Sequence, residues 1–311
     1  MIVTIIGAAG FIGINLTQAL AAAGHTVRCF DRPQALSSVH KKLLYSDMVS
    51  CHAGDFFSSF DLRSVLDGCD VCCHLVSTSV PATSNDDPRQ DVQNNLVGTL
   101  QLLDVIREVG VRKVIFPSSG GAIYGISNAP YVNEQHPLVP TSSYGIVKLA
   151  VEKYLALYEN LYGIHCTCLR IANPYGPFQR FESAQGVIGV FFGHVLKGLP
   201  LQIWGDGSAV RDYLFIDDLN KAFLAALNGK SSGNTFNIGS GKGYSINELV
   251  AYIRQVTGKK INVAYSPAHN SAIPRSVLDI GLAQKELGWA PSVNLEQGLK
   301  RTWEWIQKNY S

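Results

Sequence analysis

The stretch Ile2-Val3-Thr4-Ile5-Ile6-Gly7-Ala8-Ala9-Gly10-Phe11-Ile12-Gly13 decides the fold. Its first five residues are a continuous β-branched run, the pattern of a strand covered on both faces. Three glycines follow at G-x-x-G-x-x-G spacing, and the helical pattern Ile14 to Ala23 comes directly after them. Gly7 permits the tight turn, Gly10 lets a pyrophosphate approach the backbone, and Gly13 allows close helix–strand packing. The spacing departs by one residue from G-x-G-x-x-G, but a strand, a turn and a helix stand where a dinucleotide site needs them.

Working outward, Val27-Arg28-Cys29-Phe30 reads as a second strand that ends at Asp31, about twenty residues past the glycines. A carboxylate there accepts hydrogen bonds from ribose hydroxyls and repels a 2′-phosphate, which favours NAD over NADP. Arg32 pulls the other way, because an arginine can hold that phosphate. Further strands are expected at Val49 to Gly54, with Asp55 just beyond, at Val71 to Val76, at Arg112 to Phe116 and at His165 to Arg170. Helices are expected over Gln90 to Val109 and Ser143 to Tyr162. His74 is expected to fill a strand end. After Asn173-Pro174-Tyr175-Gly176-Pro177 the βα rhythm breaks, with helical patterns at Val187 to Leu196, Asp218 to Leu227, Ser245 to Thr257 and Leu295 to Asn309. The expected class is α/β: a Rossmann-type doubly wound parallel sheet with a smaller C-terminal α/β lobe for the substrate. Residues 1–172, with 213–239 returning to them, form the cofactor domain; 173–212 and 240–311 form the other lobe.

A second stretch carries chemistry. Ser118-Ser119-Gly120-Gly121-Ala122-Ile123-Tyr124 leaves the fifth strand at its carboxyl end, where ligands bind in such sheets. Tyr144 and Lys148 lie four apart, on one face of a helix. Free tyrosine ionises near pH 10. An adjacent ammonium, and a bound nicotinamide cation, would favour the phenolate and let it take a proton from a sugar or alcohol hydroxyl.

Composition sets limits around these motifs. The chain has 311 residues, 46% of them hydrophobic and 16% charged, which is globular and not disordered. A net charge of +2 implies no broad basic face for nucleic acid. No run of eighteen apolar residues exists, so no membrane partner is expected. Met1 enters a strand without a signal-peptide pattern, so a cytoplasmic protein is expected. Seven cysteines fall where strands are expected, and Cys69-Asp70-Val71-Cys72 lacks the second ligand pair of a zinc site. They read as buried small hydrophobes, with no metal.

Taken together, the chain resembles the extended short-chain dehydrogenase/reductase family, and within it the UDP-sugar 4-epimerases, over nearly its whole length. The resemblance rests on Gly7-x-x-Gly10-x-x-Gly13, Asp31, Asp55, Asn95-Leu96-Val97-Gly98-Thr99, Ser118-Ser119 before Tyr124-Gly125, and Tyr144-x3-Lys148. Asn173-Pro174 and Gly205-Asp206-Gly207 before Arg211-Asp212-Tyr213 complete it. It implies NAD held by Gly7, Gly10, Phe11, Ile12, Gly13, Asp31, Arg32, Asp55, Phe56, Leu75, Asn95, Ser118, Tyr144 and Lys148. It also implies a UDP-sugar inverted at C4 through a 4-keto intermediate, with Tyr144 as base and Lys148 on the nicotinamide ribose. Asn173 and Arg211 would grip the diphosphate, Trp204 would border the uracil, and Val187 would line the substrate site. The helices Gln90–Val109 and Ser143–Tyr162 resemble those that pair as a four-helix homodimer interface.

The departures from the family are as informative as the matches. The 4,6-dehydratases carry an Asp-Glu pair before the Tyr-Gly step and the decarboxylating enzymes a Glu; here Gly121 and Ala122 stand there, which leaves epimerisation. The family's catalytic Ser or Thr position is Gly120, so either Ser119, one residue off, supplies the hydroxyl, or Tyr144 bonds the sugar directly, or a water fills the gap. Aligning Ile273-Pro274 with the family's Leu-Pro step puts His269 where a phosphate-binding Arg is usual. Ser276 falls where a bulky residue closes the sugar pocket in some relatives, which leaves room for an N-acetyl group. Two alternatives stay open: an NADPH-dependent nucleotide-sugar 4-reductase, which Arg32 supports, and a nucleotide-binding regulator, which Gly120 supports.

Overall fold

A computed structural model describes residues 1–43, 46–182, 186–229, 235–267 and 273–310, without the side chains of 40–43. Seven parallel strands form the central sheet: β1 (Ile2–Ile6), β2 (Thr26–Asp31), β3 (Val49–Ala53), β4 (Val71–His74), β5 (Lys113–Ser119), β6 (His165–Ile171) and, much later, β10 (Thr235–Ile238). Their order is β10-β6-β5-β4-β1-β2-β3. The winding reverses between β1 and β4, and that crevice is where such sheets bind ligands.

Helices cover both faces: α1 (Phe11–Ala22), α2 (Pro33–Leu43), α3 (Ser59–Leu66), α4 (Pro88–Asp91), α5 (Gly98–Val109) and α6 (Ser143–Tyr162). This coverage explains the unbroken apolar strands. Cys73 packs with Val3, Ile5 and Leu16 on one face, while its neighbour Cys72 packs with Leu62, Leu102 and Val114 on the other. The cysteines are free thiols. The helix expected over Gln90–Val109 is interrupted by a π-helical turn at Val92–Val97. Asn95 sits inside that turn and bonds back to Asp91, both to its carbonyl (3.2 Å) and to its carboxylate (2.8 Å). Side chains that compete with the i→i−4 ladder in this way favour such bulges, which often mark functional sites.

Beyond β6 the chain builds a second, small sheet from β7 (Asn173–Tyr175), β9 (Val210–Phe215), β11 (Gly243–Ser245) and β13 (Arg275–Ser276), while β8 (Leu201–Trp204) pairs with β12 (Val263–Ser266). Around them lie α7 (Val187–Lys197), α8 (Ile216–Asn228), α9 (Ile246–Thr257), α10 (Gly281–Leu287) and α11 (Leu295–Tyr310). Ser245 opens α9 through a capping box with Glu248. No described helix is long and apolar enough to cross a membrane.

Candidate active site

One wall of the central cleft is the β1–α1 turn. Gly7 adopts φ +96°, and its N–H donates to Phe30 O at 2.9 Å. A Cβ on Gly13 would stand 2.6 Å from the carbonyls of both Gly7 and Ala8, so only glycine fits that approach. Gly10 caps α1 without a side-chain bond, leaving the helix N-terminus open to an anion. At the end of β2, Asp31 accepts from the N–H of Ala9 at 3.0 Å and of Arg32 at 2.8 Å. Its carboxylate is thus fastened beside the glycine turn. Arg32 itself is exposed.

The β5 end and the start of α6 form the floor. Ser118, Ser119, Tyr144 and Lys148 line the same cleft as Gly7, Gly10, Phe11, Ile12, Gly13, Leu75 and Asn173; it holds about 1250 Å³ between the atoms, open solvent included. Burial pushes the Tyr144 phenol up to about 12; the Ser119 hydroxyl lowers it and the Asp91 charge adds to the rise. Ser119 accepts from Ala122 N–H at 3.2 Å. Lys148 is buried and brought down to about 8 by that burial, against the opposing charges of Glu152, Asp91 and Cys168. Its Nζ donates to Pro117 O at 2.9 Å and sits 4.4 Å above the Phe116 ring centroid and 5.7 Å from that of Tyr144. Lysine at that range does not bring the phenol below its ordinary value here; the group that lowers it is Ser119.

Gly120 is buried and faces away from this floor. A Cβ there would meet Leu278 Cδ1 at 2.5 Å and Arg170 O at 3.1 Å. Ser118 and Ser119 both line the cleft at the end of β5, and the chain then turns position 120 toward the core. A side chain at position 120 would therefore enter Leu278, whereas Ser119 lines the cleft beside Tyr144.

The small sheet brings Asn173 to the same cleft, whereas Val187, Trp204, Arg211 and Ser276 are not among its lining residues. Asn173 donates to Asp212 O at 2.8 Å. Arg211 and Ser276 are direct register partners on β9 and β13. Arg211 donates to Val210 O at 2.8 Å, its pKa is lowered by burial, and among the described residues it forms no ion pair. A half-buried guanidinium left in that state can take an anion. Trp204 is 57% exposed at the end of β8. Val187 begins α7 and packs partly on the core. Asn95 lies behind Tyr144 and Lys148, donating to Asp91 and accepting from Thr78 N–H at 2.9 Å. Asp55 is exposed past β3, and Phe56 is buried, stacked on His74 at 5.5 Å, so it backs the cofactor wall rather than lining it. His269 lies outside the described residues.

These walls fit a dinucleotide. The open N-terminus of α1 suits a pyrophosphate, and Asp31, tied to the turn through Ala9 N–H, is a carboxylate of the kind that accepts from a ribose. Ser118 adds a hydroxyl, 4% exposed and without a partner among the described residues, on the cleft lining. Residues 3–239 match the model of the NAD dependent epimerase/dehydratase family. The chain belongs to that family. It is 36% identical over 310 residues to the UDP-glucose 4-epimerase of Mycolicibacterium smegmatis, covering 97% of each chain. Its fold superposes on the UDP-glucose 4-epimerase of Thermotoga maritima with UDP-glucose (TM-score 0.92, 32% identity, 100% of each chain). It also superposes on the Thermus thermophilus UDP-glucose 4-epimerase in complex with NAD (TM-score 0.89, 30% identity, 99% of this chain and 100% of that one). NAD is the cofactor of the family. Among the cleft residues that escape the sequence reading are Ser77, Ser79, Gln179 and Arg180. Phe178 just before the last two holds φ +67° and packs edge-on against Trp305 at 4.9 Å. A left-handed phenylalanine gives no sequence signal, since it is over-determined by packing from the far end of the chain.

Proposed function

We propose that this chain inverts C4 of a UDP-hexose, UDP-glucose/galactose or the N-acetyl forms, through a 4-keto sugar. The observation that carries the reading is the meeting of Tyr144, Ser119 and Lys148 on the floor of a cleft walled by the glycine turn. Held by the Gly7–Gly13 turn and Asp31, NAD would supply a hydride acceptor and donor for C4. Tyr144 takes the 4-hydroxyl proton and gives it back, with Ser119 bonded between phenol and sugar oxygen. A phenol held near 12 in the free cleft, with the Lys148 ammonium already 5.7 Å from its ring, needs further positive charge to act as a base at neutral pH, and a bound nicotinamide cation would add it. With Gly121 and Ala122 at the positions that hold acids in dehydratases, no further side chain there removes water. Asn173 and Arg211 hold the diphosphate while the ketone presents its other face, and Trp204 borders the base; with His269 in place of the family's Arg, part of the phosphate grip is lost or pH-dependent. Ser276 beside Arg211 leaves the space an N-acetyl group needs.

The cofactor lobe is 1–172 with 213–239, and the rest is the sugar lobe, in a cytoplasmic homodimer. For the dimer, Ile146, Leu157 and Leu161 of α6 and Val97 beside α5 leave apolar surface exposed, as a four-helix interface requires. The test is incubation with UDP-glucose, UDP-galactose and their N-acetyl forms, followed by analysis of C4 configuration in the products. Inversion of at least one is expected. Unchanged configuration in all four, with NAD bound, overturns the assignment.

A further inference from the structure

The first turn of a helix leaves its N–H groups without internal partners. In α6 they are answered by side chains: Ser143 N–H donates to Asn85 Oδ1 (2.9 Å), Tyr144 N–H to Ser84 Oγ (3.1 Å) and Gly145 N–H to Ser142 Oγ (3.2 Å). The Ser143 hydroxyl is then free to reach elsewhere, and it donates to Asp91 Oδ2 at 2.6 Å. The other oxygen of Asp91 accepts from Ser79 Oγ at 2.7 Å and from Asn95 Nδ2 at 2.8 Å. Asp91 is 4% exposed and forms no ion pair among the described residues. A carboxylate so buried is tolerable only when its lone pairs are met, and three donors meet them here.

Those donors come from three separate elements. Ser143 precedes Tyr144 on α6, Ser79 belongs to the strap after β4 that lines the cleft, and Asn95 is the residue inside the π-turn. Asn95 also accepts from the strap at Thr78 N–H. We propose that Asp91 is a positioning residue for Tyr144: by holding Ser143, Ser79 and Asn95 at once, it locks the first turn of α6 against the cleft strap and keeps the phenol facing Ser119. This role rests on the epimerase reading for its kinetic consequence, but the placement itself does not.

The charge of Asp91 also reaches the site, raising both Tyr144 and Lys148. The other groups facing this pair are Glu152 from α6, Cys168 from β6, His74 from β4 and the Ser119 hydroxyl from β5. Shape and charge can be separated by substitution. Asp91→Asn keeps a carbonyl for Ser79 and Asn95 and offers its amide to the Ser143 oxygen, so the shape survives and the charge goes. Asp91→Ala removes both.

The experiment compares Asp91→Ala, Asp91→Asn and Ser143→Ala with the parent, all carrying NAD. Asp91→Ala should lower kcat by about 10–100-fold, the usual cost of a small misplacement of a reacting group, with KM changed by less than about threefold. Asp91→Asn should restore most of that rate. In Asp91→Asn the Tyr144 phenol, followed as the ultraviolet difference against Tyr144→Phe, should titrate below its position in the parent. A kcat for Asp91→Ala within twofold of the parent, or Asp91→Asn as slow as Asp91→Ala, overturns the proposal. So does an unmoved Tyr144 titration. If Asp91→Ala does not fold, Ser143→Ala decides, because it removes one of the three ties: a several-fold lower kcat is expected, and an unchanged one overturns the role. The titration needs no substrate, so a moved titration in a protein that inverts no sugar condemns the epimerase reading and spares the placement of Asp91.

Discussion

The two walls of the cleft are built in opposite ways. The cofactor wall, Gly7 to Gly13 with Asp31, comes from the first 31 residues and depends on backbone: a left-handed glycine, a carbonyl contact that excludes any Cβ, and a helix N-terminus. The sugar side proposed above draws Asn173, Arg211 and Ser276 from strands β7, β9 and β13, over a hundred residues of chain, and depends on strand register and side chains. Local backbone requirements leave a spacing in the sequence. Register between distant strands does not. The difference predicts that damage on one side should spare the ligand of the other, and that only the floor between them should affect turnover alone.

The floor provides the largest effect. Tyr144→Phe should keep NAD bound and reduce turnover by on the order of 10²–10⁴, the range for lost acid–base catalysis. A rate near that of the parent would remove Tyr144 from the reaction and leave the two walls without a shared chemistry.

Next comes the neighbouring pair on the β5 edge. Ser119→Ala should lower the rate by roughly 10²-fold, as loss of an oriented hydrogen-bond partner does. Gly120→Ser should not raise it, because the new side chain enters Leu278 rather than the cleft. Overpacking of that kind costs about 1–3 kcal/mol, visible as a lower melting temperature. Silent kinetics in Ser119→Ala, or a rate gain in Gly120→Ser, would reverse the assignment of faces on this strand end.

That edge shows what the sequence makes legible. Counting four residues back from Tyr124 points to Gly120, but the count assumes a direction for the side chain, and direction is set by where the strand ends and what packs behind it. Ser119 closes β5 in register with Ile171, and Leu278 arrives from a segment far along the chain to fill the space behind Gly120. The glycine turn, by contrast, could be read directly, since each glycine is demanded by backbone within a few residues. The inner strands β1, β4 and β5 are readable because both faces are covered and their apolar runs are nearly unbroken, while β3 at the sheet edge is largely unburied and its sequence is mixed. The π-turn was hidden because Asp91 and Asn95 fit a helical pattern equally well, and only their mutual bond, with Ser79 and Ser143 as partners, breaks the ladder. Arg180 carries no pattern until the strained Phe178 turn brings it to the cleft.

A crossed pair tests the independence of the walls directly. Asp31→Ala should weaken NAD by about 10-fold or more, a hydrogen bond to a charged group contributing about 1.5–3 kcal/mol, and should improve NADP relative to it. The KM for the nucleotide sugar should stay put. Arg211→Met should raise that KM by about 10-fold or more through lost charge-assisted bonds, with NAD affinity unchanged. Isothermal titration for NAD and initial rates for the sugar measure both. If each substitution moved both constants, the walls would be one coupled unit and the contrast drawn from their construction would fail.

The smallest effect concerns the price in stability of the floor itself. Lys148 is 7% exposed, and burial brings its ammonium down to about 8. An unfolded lysine titrates at about 10.4. Between those values the unfolded chain binds the extra proton, so stability should rise with pH across that window; below about 8 both states are charged and the full cost of burying the ammonium is present. Lys148→Met removes that cost at pH 7. It also removes the bond to Pro117 O, about 1 kcal/mol, and the contact over the Phe116 ring, roughly another 1 kcal/mol, so the two sides nearly offset. The expected net gain at pH 7 is about 1 kcal/mol, a rise of a few degrees in melting temperature. The sharper signature is the slope: as pH is raised from 7 to above 10, the parent should gain on the variant, because only the parent sheds a proton on its buried lysine. Melts of both proteins at the two ends of that range measure it, and all other titrating groups cancel in the difference. Parallel curves would show that Lys148 keeps its proton at no cost, and the floor would then be built without the strain that its burial implies.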